Sequence, residues 1–405
     1  MIIGAGVAGT VAAMALQKAG IEPVIYEAYQ HSTGLRQGVY LTVAVNGLDA
    51  LRVVGADHVV LDHGFPTGLV TMWSGTGKRL GALPLGPVLD GGRMTHTIRR
   101  DQLYRGLYEE AVGRGIQVEH GRRLVAATRT GTGVRAEFSD GSTAEADVLI
   151  GADGVHSTTR SVIDPNAPRP RYTGLGDVGG FVRSADLATR PGEYRLIWGR
   201  DCFFGYTVSP DGEIWWFANP RSGTEVPPEG LRQPDQVRER LLQLLAPDRT
   251  PGSQIVRADA GELRVFNQYD IPAVPKWHND AMVIIGDAAH AVAPATGQGA
   301  SLAAEDAVIL AQCLRDRPTV SDALATFEAL RRDRVQRVVK WGARMNNTKR
   351  QGVVGRAVRD LILPLILKIA ARPEEMEKMS WLHHHHIDWD KPVAPKVAAG
   401  TAGSR

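Results

Sequence analysis

Residues 4–9 read Gly-Ala-Gly-Val-Ala-Gly, directly after an apolar Met-Ile-Ile and directly before a run with Val7, Val11, Met14 and Ala15 at helical spacing. A G-x-G-x-x-G pattern between a strand and a helix is the loop that receives a pyrophosphate. The first glycine permits a tight turn, the second lets the backbone approach phosphate, and the third lets helix and strand pack closely. The helix start then offers unpaired N–H groups and the positive end of the helix dipole. Glu27 closes the next apolar run, "PVIYEA", eighteen residues after Gly9. A carboxylate there accepts ribose hydroxyls and repels a 2′-phosphate, which argues against NADP in this loop. Gly4, Gly6, Gly9 and Glu27 are therefore candidate dinucleotide residues, and the loop alone does not separate NAD from FAD.

Two later stretches carry related chemistry. In "DVLIGADGVHSTTR" an apolar run delivers Asp153-Gly154 at its C-terminal end, with Arg160 on the next turn. In "VIIGDAAHAVAPATGQGASLAAEDA" an apolar run delivers Gly286-Asp287, then Pro294, then Gly297-Gln298-Gly299 at the start of a helix. A carboxylate placed like Asp287 can bind ribitol or ribose hydroxyls. N–H groups of the glycine loop can stabilise negative charge on the pyrimidine edge of a flavin.

In this order and approximate spacing, the three motifs resemble the single-component FAD aromatic hydroxylases typified by para-hydroxybenzoate hydroxylase, and the resemblance covers nearly the whole chain. It implies that Gly4, Gly6, Gly9 and Glu27 hold the ADP half of FAD, with Arg36 of "LRQGV" near the pyrophosphate. It assigns a second FAD contact to Arg100, which opens an R-x-x-L-x-x-x-L helix, and links Asp153 with both FAD and NAD(P)H. Asp287 would bind the ribitol side, and Pro294, Gly297, Gln298 and Gly299 would lie beside the isoalloxazine. The reaction implied is that of a monooxygenase. NADPH or NADH reduces bound FAD in passing, O2 reacts, and a C4a-hydroperoxyflavin transfers one oxygen atom to an aromatic or polyketide-like small molecule.

A transient reductant agrees with the lack of a second G-x-G-x-x-G in a strand-loop-helix context. The same module also serves reductases or dehydrogenases of the geranylgeranyl reductase kind, and a flavin-binding protein without turnover is a third reading. The halogenase pattern W-x-W-x-I-P is not matched by "IWWFANP". No residue is required as a catalytic base, so the catalytic residue is left unassigned; His96 and His290 lie near flavin segments, and His290 reads as a support for its loop.

The elements that must position these groups follow from periodicity. The expected fold is α/β: a discontinuous Rossmann-like FAD-binding domain, an inserted antiparallel-sheet substrate domain and a C-terminal helical region. The FAD domain is drawn from residues 1–66, 93–170 and 263–345, and the sheet domain from 67–92 and 171–262. Residues 346–390 form the helical region and 391–405 a flexible tail. The segments "RRLVAATRT", "GVRAEFSD" and "STAEADVLIGADG" read as a three-stranded meander, the last two strands joined by an Asp140-Gly141 turn. "RLIWG", "CFFGYTV" and "EIWWFAN" read as antiparallel strands. Their aromatic density makes Tyr206, Phe204 and Trp215 the candidate substrate residues, Tyr206 offering a hydroxyl to a phenol.

Composition excludes other classes. A formal net charge of +3 on 405 residues, with scattered basic groups, gives no case for nucleic acid. Two cysteines support neither a disulfide framework nor a cysteine zinc site, and a cytoplasmic location fits. The glycine loop occupies the N-terminus, so no signal peptide is expected, and the first strand looks clipped. "LILPLILKIAA" is too short for an integral membrane segment and reads as a packed helix. "HHHH" at 383–386 reads as exposed histidines rather than a metal site. Oligomeric state is open.

Overall fold

The computed structural model describes residues 1–30, 38–183, 187, 189–221, 224–226, 233–271, 273–347 and 353–393. Arg36 and the stretch from residue 394 onward lie outside the described residues.

The apolar runs that lead into the glycine and aspartate motifs become neighbouring strands of one sheet. Ile2–Ile3 sits between Val24–Glu27 and Leu149–Gly151, with Met282–Ile284 and Gln117–His120 at the two edges, all in parallel. A parallel sheet is covered on both faces, which is why these strands are continuous apolar runs rather than alternating ones. The Val7–Lys18 helix packs against the Gly299–Asp316 helix, so the loop at 4–9 and the loop at 297–299 open toward one space. Leu103, Leu107 and Ala111 form the buried face of the Arg100–Gly113 helix, as their spacing predicts.

The expected meander splits. Leu124–Arg129, Val134–Phe138 and Thr143–Ala146 form the three-stranded sheet, whereas Leu149–Gly151 leaves it for the parallel sheet. The apolar residues 148–150 continue past the point where alternation ends. A strand buried on both faces belongs in the parallel layer.

A seven-stranded mixed sheet forms the second layer. Its order is Arg264–Asp270, Arg171–Val182, Ile214–Pro220, Cys202–Val208, Glu193–Trp198, Leu69–Ser74 and Arg79–Pro84. Arg264–Asp270 pairs antiparallel with Arg171–Val182, so this sheet extends beyond the expected limit at 262. One face is sealed by the helices Pro234–Leu245 and Gly252–Ala258 through Leu241, Leu245, Ile255 and Val256. The other face looks toward the parallel sheet.

After the long Val320–Asn347 helix come Val353–Ala370, Pro373–Glu377 and Ser380–His383. Val353–Ala370 is not the packed helix expected for "LILPLILKIAA". Leu367 is buried against the Arg79–Pro84 strand, but Leu361 is 77% exposed and Leu365 62% exposed. The apolar residues occupy more of the helix circumference than a single neighbour can cover. No helix among the described residues is long and apolar enough to cross a membrane. Of the segment expected as a tail, the described part is fixed: Val393 N–H donates to Asp316 at 2.9 Å.

Candidate active site

One continuous cavity of about 950 Å3 runs from the 4–9 loop, past the 287–299 segment, to the seven-stranded sheet. At the first end the glycines are sterically required. Gly4 has φ +103°, and a Cβ there would lie 2.5 Å from the Ala152 carbonyl oxygen; a Cβ on Gly9 would lie 1.9 Å from the Gly4 oxygen. Gly6 instead faces open space, the nearest atom being Tyr104 at 3.7 Å, which leaves its backbone approachable. Glu27 stands at its strand end and accepts from Ala5 N–H at 2.7 Å and Tyr29 N–H at 2.9 Å. These bonds hold the carboxylate at the cavity wall beside the loop.

Asp153 ends the Leu149–Gly151 strand and caps the turn that follows. It accepts from the Ser157 hydroxyl and from Thr159 N–H and Oγ1, both at 3.0 Å. Burial raises its pKa and those donors oppose the rise. Arg160 lies buried behind it, donating to the carbonyls of Ala288 at 3.0 Å and Val155 at 2.8 Å. The two Asp motifs are thus tied together by one guanidinium.

Asp287 begins a one-turn helix, Asp287–His290. Its carboxylate opens into the cavity but is ringed by protein; burial raises its pKa, and the charges of His290 and Arg100 oppose that. Arg100 reaches the same region from the start of its own helix. It packs against Gly38, where a Cβ would fall 2.6 Å from its Cδ, and donates to Tyr104 Oη at 3.0 Å. Its Nε is buried without a hydrogen-bond partner among the described residues. An anionic group in the cavity would satisfy that donor.

Pro294–Thr296 forms a single turn, and Gly297 adopts φ +61° with Thr42 Oγ1 2.6 Å from where a Cβ would sit. The Gly299–Asp316 helix starts immediately afterwards, so its free N–H groups face the cavity. Gln298 is buried and accepts from Asn46 Nδ2 at 3.0 Å. The same amide donates to Glu305 Oε1 at 2.7 Å.

Below this loop lies an ion cluster that sequence spacing did not reveal. Arg331 pairs with Glu305 and Asp306, each at 2.7 Å, and Arg334 pairs with Glu305 at 2.7 Å. Asp306 also accepts from Gly286 N–H at 3.0 Å and contacts His290 Nε2 at 2.5 Å. Burial alone would push both carboxyls up; the surrounding cations hold Glu305 and Asp306 down at about 2 each. His290 therefore braces its loop from below. His96 contacts the Met94 carbonyl at 2.9 Å and is outside the cavity lining.

The substrate candidates are corrected by register. Strand alternation puts Phe204 and Tyr206 on the face sealed by helices, in the cluster with Trp216 and Leu241. Tyr206 Oη meets Thr189 Oγ1 at 3.1 Å there. Trp215 is on the cavity side but beyond its wall, packed on Phe65 at 5.0 Å between ring centroids. From the seven-stranded sheet, Phe203, Phe217, Tyr194, Trp198 and Phe266 are the aromatic residues that line the cavity, and Tyr40 lines it from the facing layer. Asp177 and Gln268 also line it, Gln268 Nε2 donating to Asp177 Oδ2 at 3.1 Å.

The histidine run is likewise not simply surface. His383 lines the cavity beside Gly86, and burial lowers its pKa to about 4. His386 contacts Asp49 at 2.9 Å, and Ile387 N–H donates to the same carboxylate at 3.0 Å. No local pattern announces these contacts, because they join residues nearly 300 or more positions apart.

Comparison with known proteins places this geometry among relatives. A family model described as FAD binding domain matches residues 1–342. The aurachin C monooxygenase/isomerase of Stigmatella aurantiaca is 30% identical over 350 residues, 82% of this chain and 85% of that protein. The FAD-dependent urate hydroxylase of Klebsiella pneumoniae is 30% identical over 348 residues, 84% of this chain and 87% of that one. The crystal structure of Klebsiella pneumoniae HpxO complexed with FAD and uric acid superposes with TM-score 0.81 at 25% identity, over 93% of this chain and 96% of that one. A salicylate hydroxylase substrate complex shares the fold, with TM-score 0.75 at 20% identity over 95% and 94%. These names are those of oxygenases, which decides against the reductase alternative.

Proposed function

Since the chain belongs to the FAD-binding-domain family and is an FAD-dependent monooxygenase, we propose that it uses NAD(P)H and O2 to insert one oxygen atom into an aromatic small molecule held between the 287–299 segment and the seven-stranded sheet. The observation that carries this reading is the single cavity, which joins a dinucleotide loop at one end to an aromatic sheet face at the other.

Bound FAD, once reduced, supplies the oxygen-activating chemistry. The chain's own residues bind, orient and shield. Gly4, Gly6 and Gly9 let the backbone approach the pyrophosphate, and Glu27 takes ribose hydroxyls. Asp287 takes ribitol hydroxyls, while Arg100 supplies the facing positive charge. Asp153 works through its turn, holding the backbone at 153–159 against the cavity. Pro294, Gly297, Gln298 and Gly299 would form the wall beside the isoalloxazine, and the free N–H groups of the following helix start would favour negative charge on the bound flavin. Phe203, Phe217 and Trp198 exclude water from the reacting centre.

The reading divides the chain into an FAD domain and a sheet domain at the boundaries expected above, with 263–270 moved into the sheet. It places the enzyme in the cytoplasm, supported by two buried free thiols, Cys202 and Cys313.

The test is 18O2 turnover. Purified yellow protein is given NADH or NADPH with a panel of phenols and nitrogen heterocycles, and products are read by mass. One 18O atom in an aromatic product supports the reading. NAD(P)H oxidation with all consumed O2 recovered as H2O2 across the panel counts against it.

A further inference from the structure

The sheet wall of the cavity changes character along its strand order. Cross-strand pairing sets Asp177, Asn219, Phe203 and Trp198 in one row across four strands. Phe217, Gly205, Leu196 and Met72 form the adjacent row, which continues one strand further. At the first end the groups are polar. Gln268 donates to Asp177, and Gln268 Oε1 is buried without a hydrogen-bond partner among the described residues. At the other end Met72 and Val70 line the same cavity as Leu363 and Leu367 of the Val353–Ala370 helix, which packs on the edge strand Arg79–Pro84.

Hydrogen-bonded strands are about 4.8 Å apart, so the four steps from the strand of Asp177 to that of Met72 span ~19 Å. A single aromatic ring covers less than half of that. The charges at the apolar end are neutralised: Arg359 pairs with Asp360 at 2.6 Å, and burial keeps the His383 imidazole uncharged near neutral pH. A polar head site is thus continuous with a long apolar slot in one cavity.

We propose, resting on the monooxygenase reading, that the substrate is amphiphilic. Its ring carries an N–H or O–H that donates to the Asp177–Gln268 pair, and an apolar chain on that ring runs along Phe217 and Leu196 into a subsite closed by Met72, Leu363 and Leu367. The amide–carboxylate pair orients the ring, and chain burial supplies most of the affinity. The helix that closes the slot is also the one whose outer face is apolar, so substituting its inner face changes which chain lengths fit.

The experiment is a binding series with 4-alkylphenols, methyl to decyl, titrated into oxidised holoenzyme and followed by the flavin absorbance change. The dissociation constant falls about three- to four-fold per methylene until the slot is filled, then levels off. Leu363→Trp moves the levelling point to a shorter chain, and Leu363→Glu flattens the slope. An affinity independent of chain length, no binding by any member, or the same levelling point in Leu363→Trp as in the wild type overturns the subsite. Bound FAD content and 18O incorporation are measured on the same preparations. Their failure rejects the monooxygenase reading, whereas their success with a flat series rejects the amphiphilic substrate alone.

Discussion

Replacing Arg331 by Met leaves two buried carboxylates, Glu305 and Asp306, without the guanidinium that bridges them at 2.7 Å each. All three side chains are fully buried, so solvent cannot compensate. Breaking a buried pair by removing one partner costs about 3–5 kcal/mol. With roughly 2.1 cal/mol/K of unfolding entropy per residue, that is a fall of roughly 4–6 °C in the midpoint of a chain this long. The cost depends on pH in a specified direction. In the wild type both carboxyls sit at about 2, below their ordinary values of 4.5 and 3.8. Their stabilisation is complete above those ordinary values and is lost as pH falls toward 2. In Arg331→Met burial is no longer opposed by that cation, so the folded variant takes up a proton at higher pH than the wild type does. Its deficit therefore shrinks as pH falls from 8 through the range in which the folded variant, but not the wild type, takes up that proton. The assay is calorimetric unfolding of the holoenzyme across that range, with FAD release followed by fluorescence, because Glu305 reaches Gln298 through Asn46. A deficit under about 1 kcal/mol, or one that is constant with pH, would refute the assignment of this cluster as the brace under the 287–299 segment.

Gly9→Ala places a Cβ 1.9 Å from the Gly4 oxygen and forces the loop apart; the expected product is colourless, with secondary structure retained by circular dichroism. Asp287→Ala removes a cavity carboxylate and is expected to lose FAD during purification, so full flavin occupancy would contradict the ribitol assignment. Phe204→Ala is expected to lower stability by about 3–5 kcal/mol with little effect on substrate KM, since it empties the helix-sealed face. Phe203→Leu, on the opposite face, should raise KM with a smaller stability loss, and equal KM values for the two variants would contradict the register argument. Below about pH 4.5 the wild-type midpoint should fall steadily, because the unfolded chain takes up protons on Glu305 and Asp306 that the folded protein holds off to about 2, which a titration of unfolding temperature from pH 6 to pH 2.5 checks.

The sequence by itself determined what is local. A glycine loop between a strand and a helix, an acid at the end of the next strand, and Gly-Asp before a second glycine loop are set by steric and hydrogen-bond demands within a few residues. Gly4, Gly9, Asp287 and Gly297 were legible for that reason. Tertiary structure decided what depends on pairing. Phe203-Phe204 and Trp215-Trp216-Phe217 are apolar on both faces of their strands, so alternation carries no contrast, and only the packing of Pro234–Leu245 and Gly252–Ala258 shows which face is sealed. Residues 143–151 likewise read as one strand, and the partner sheets, not the chain, divide them. Asp177 and Gln268 are 91 residues apart and meet through strand pairing. Arg331 meets Glu305 and Asp306 because two helices pack together beneath the 287–299 segment. His383 reaches the cavity, and His386 reaches Asp49, because the chain folds back over residues near its start. Such contacts follow from burial of apolar surface over the whole molecule, a non-directional force that leaves no mark at any one position in the chain.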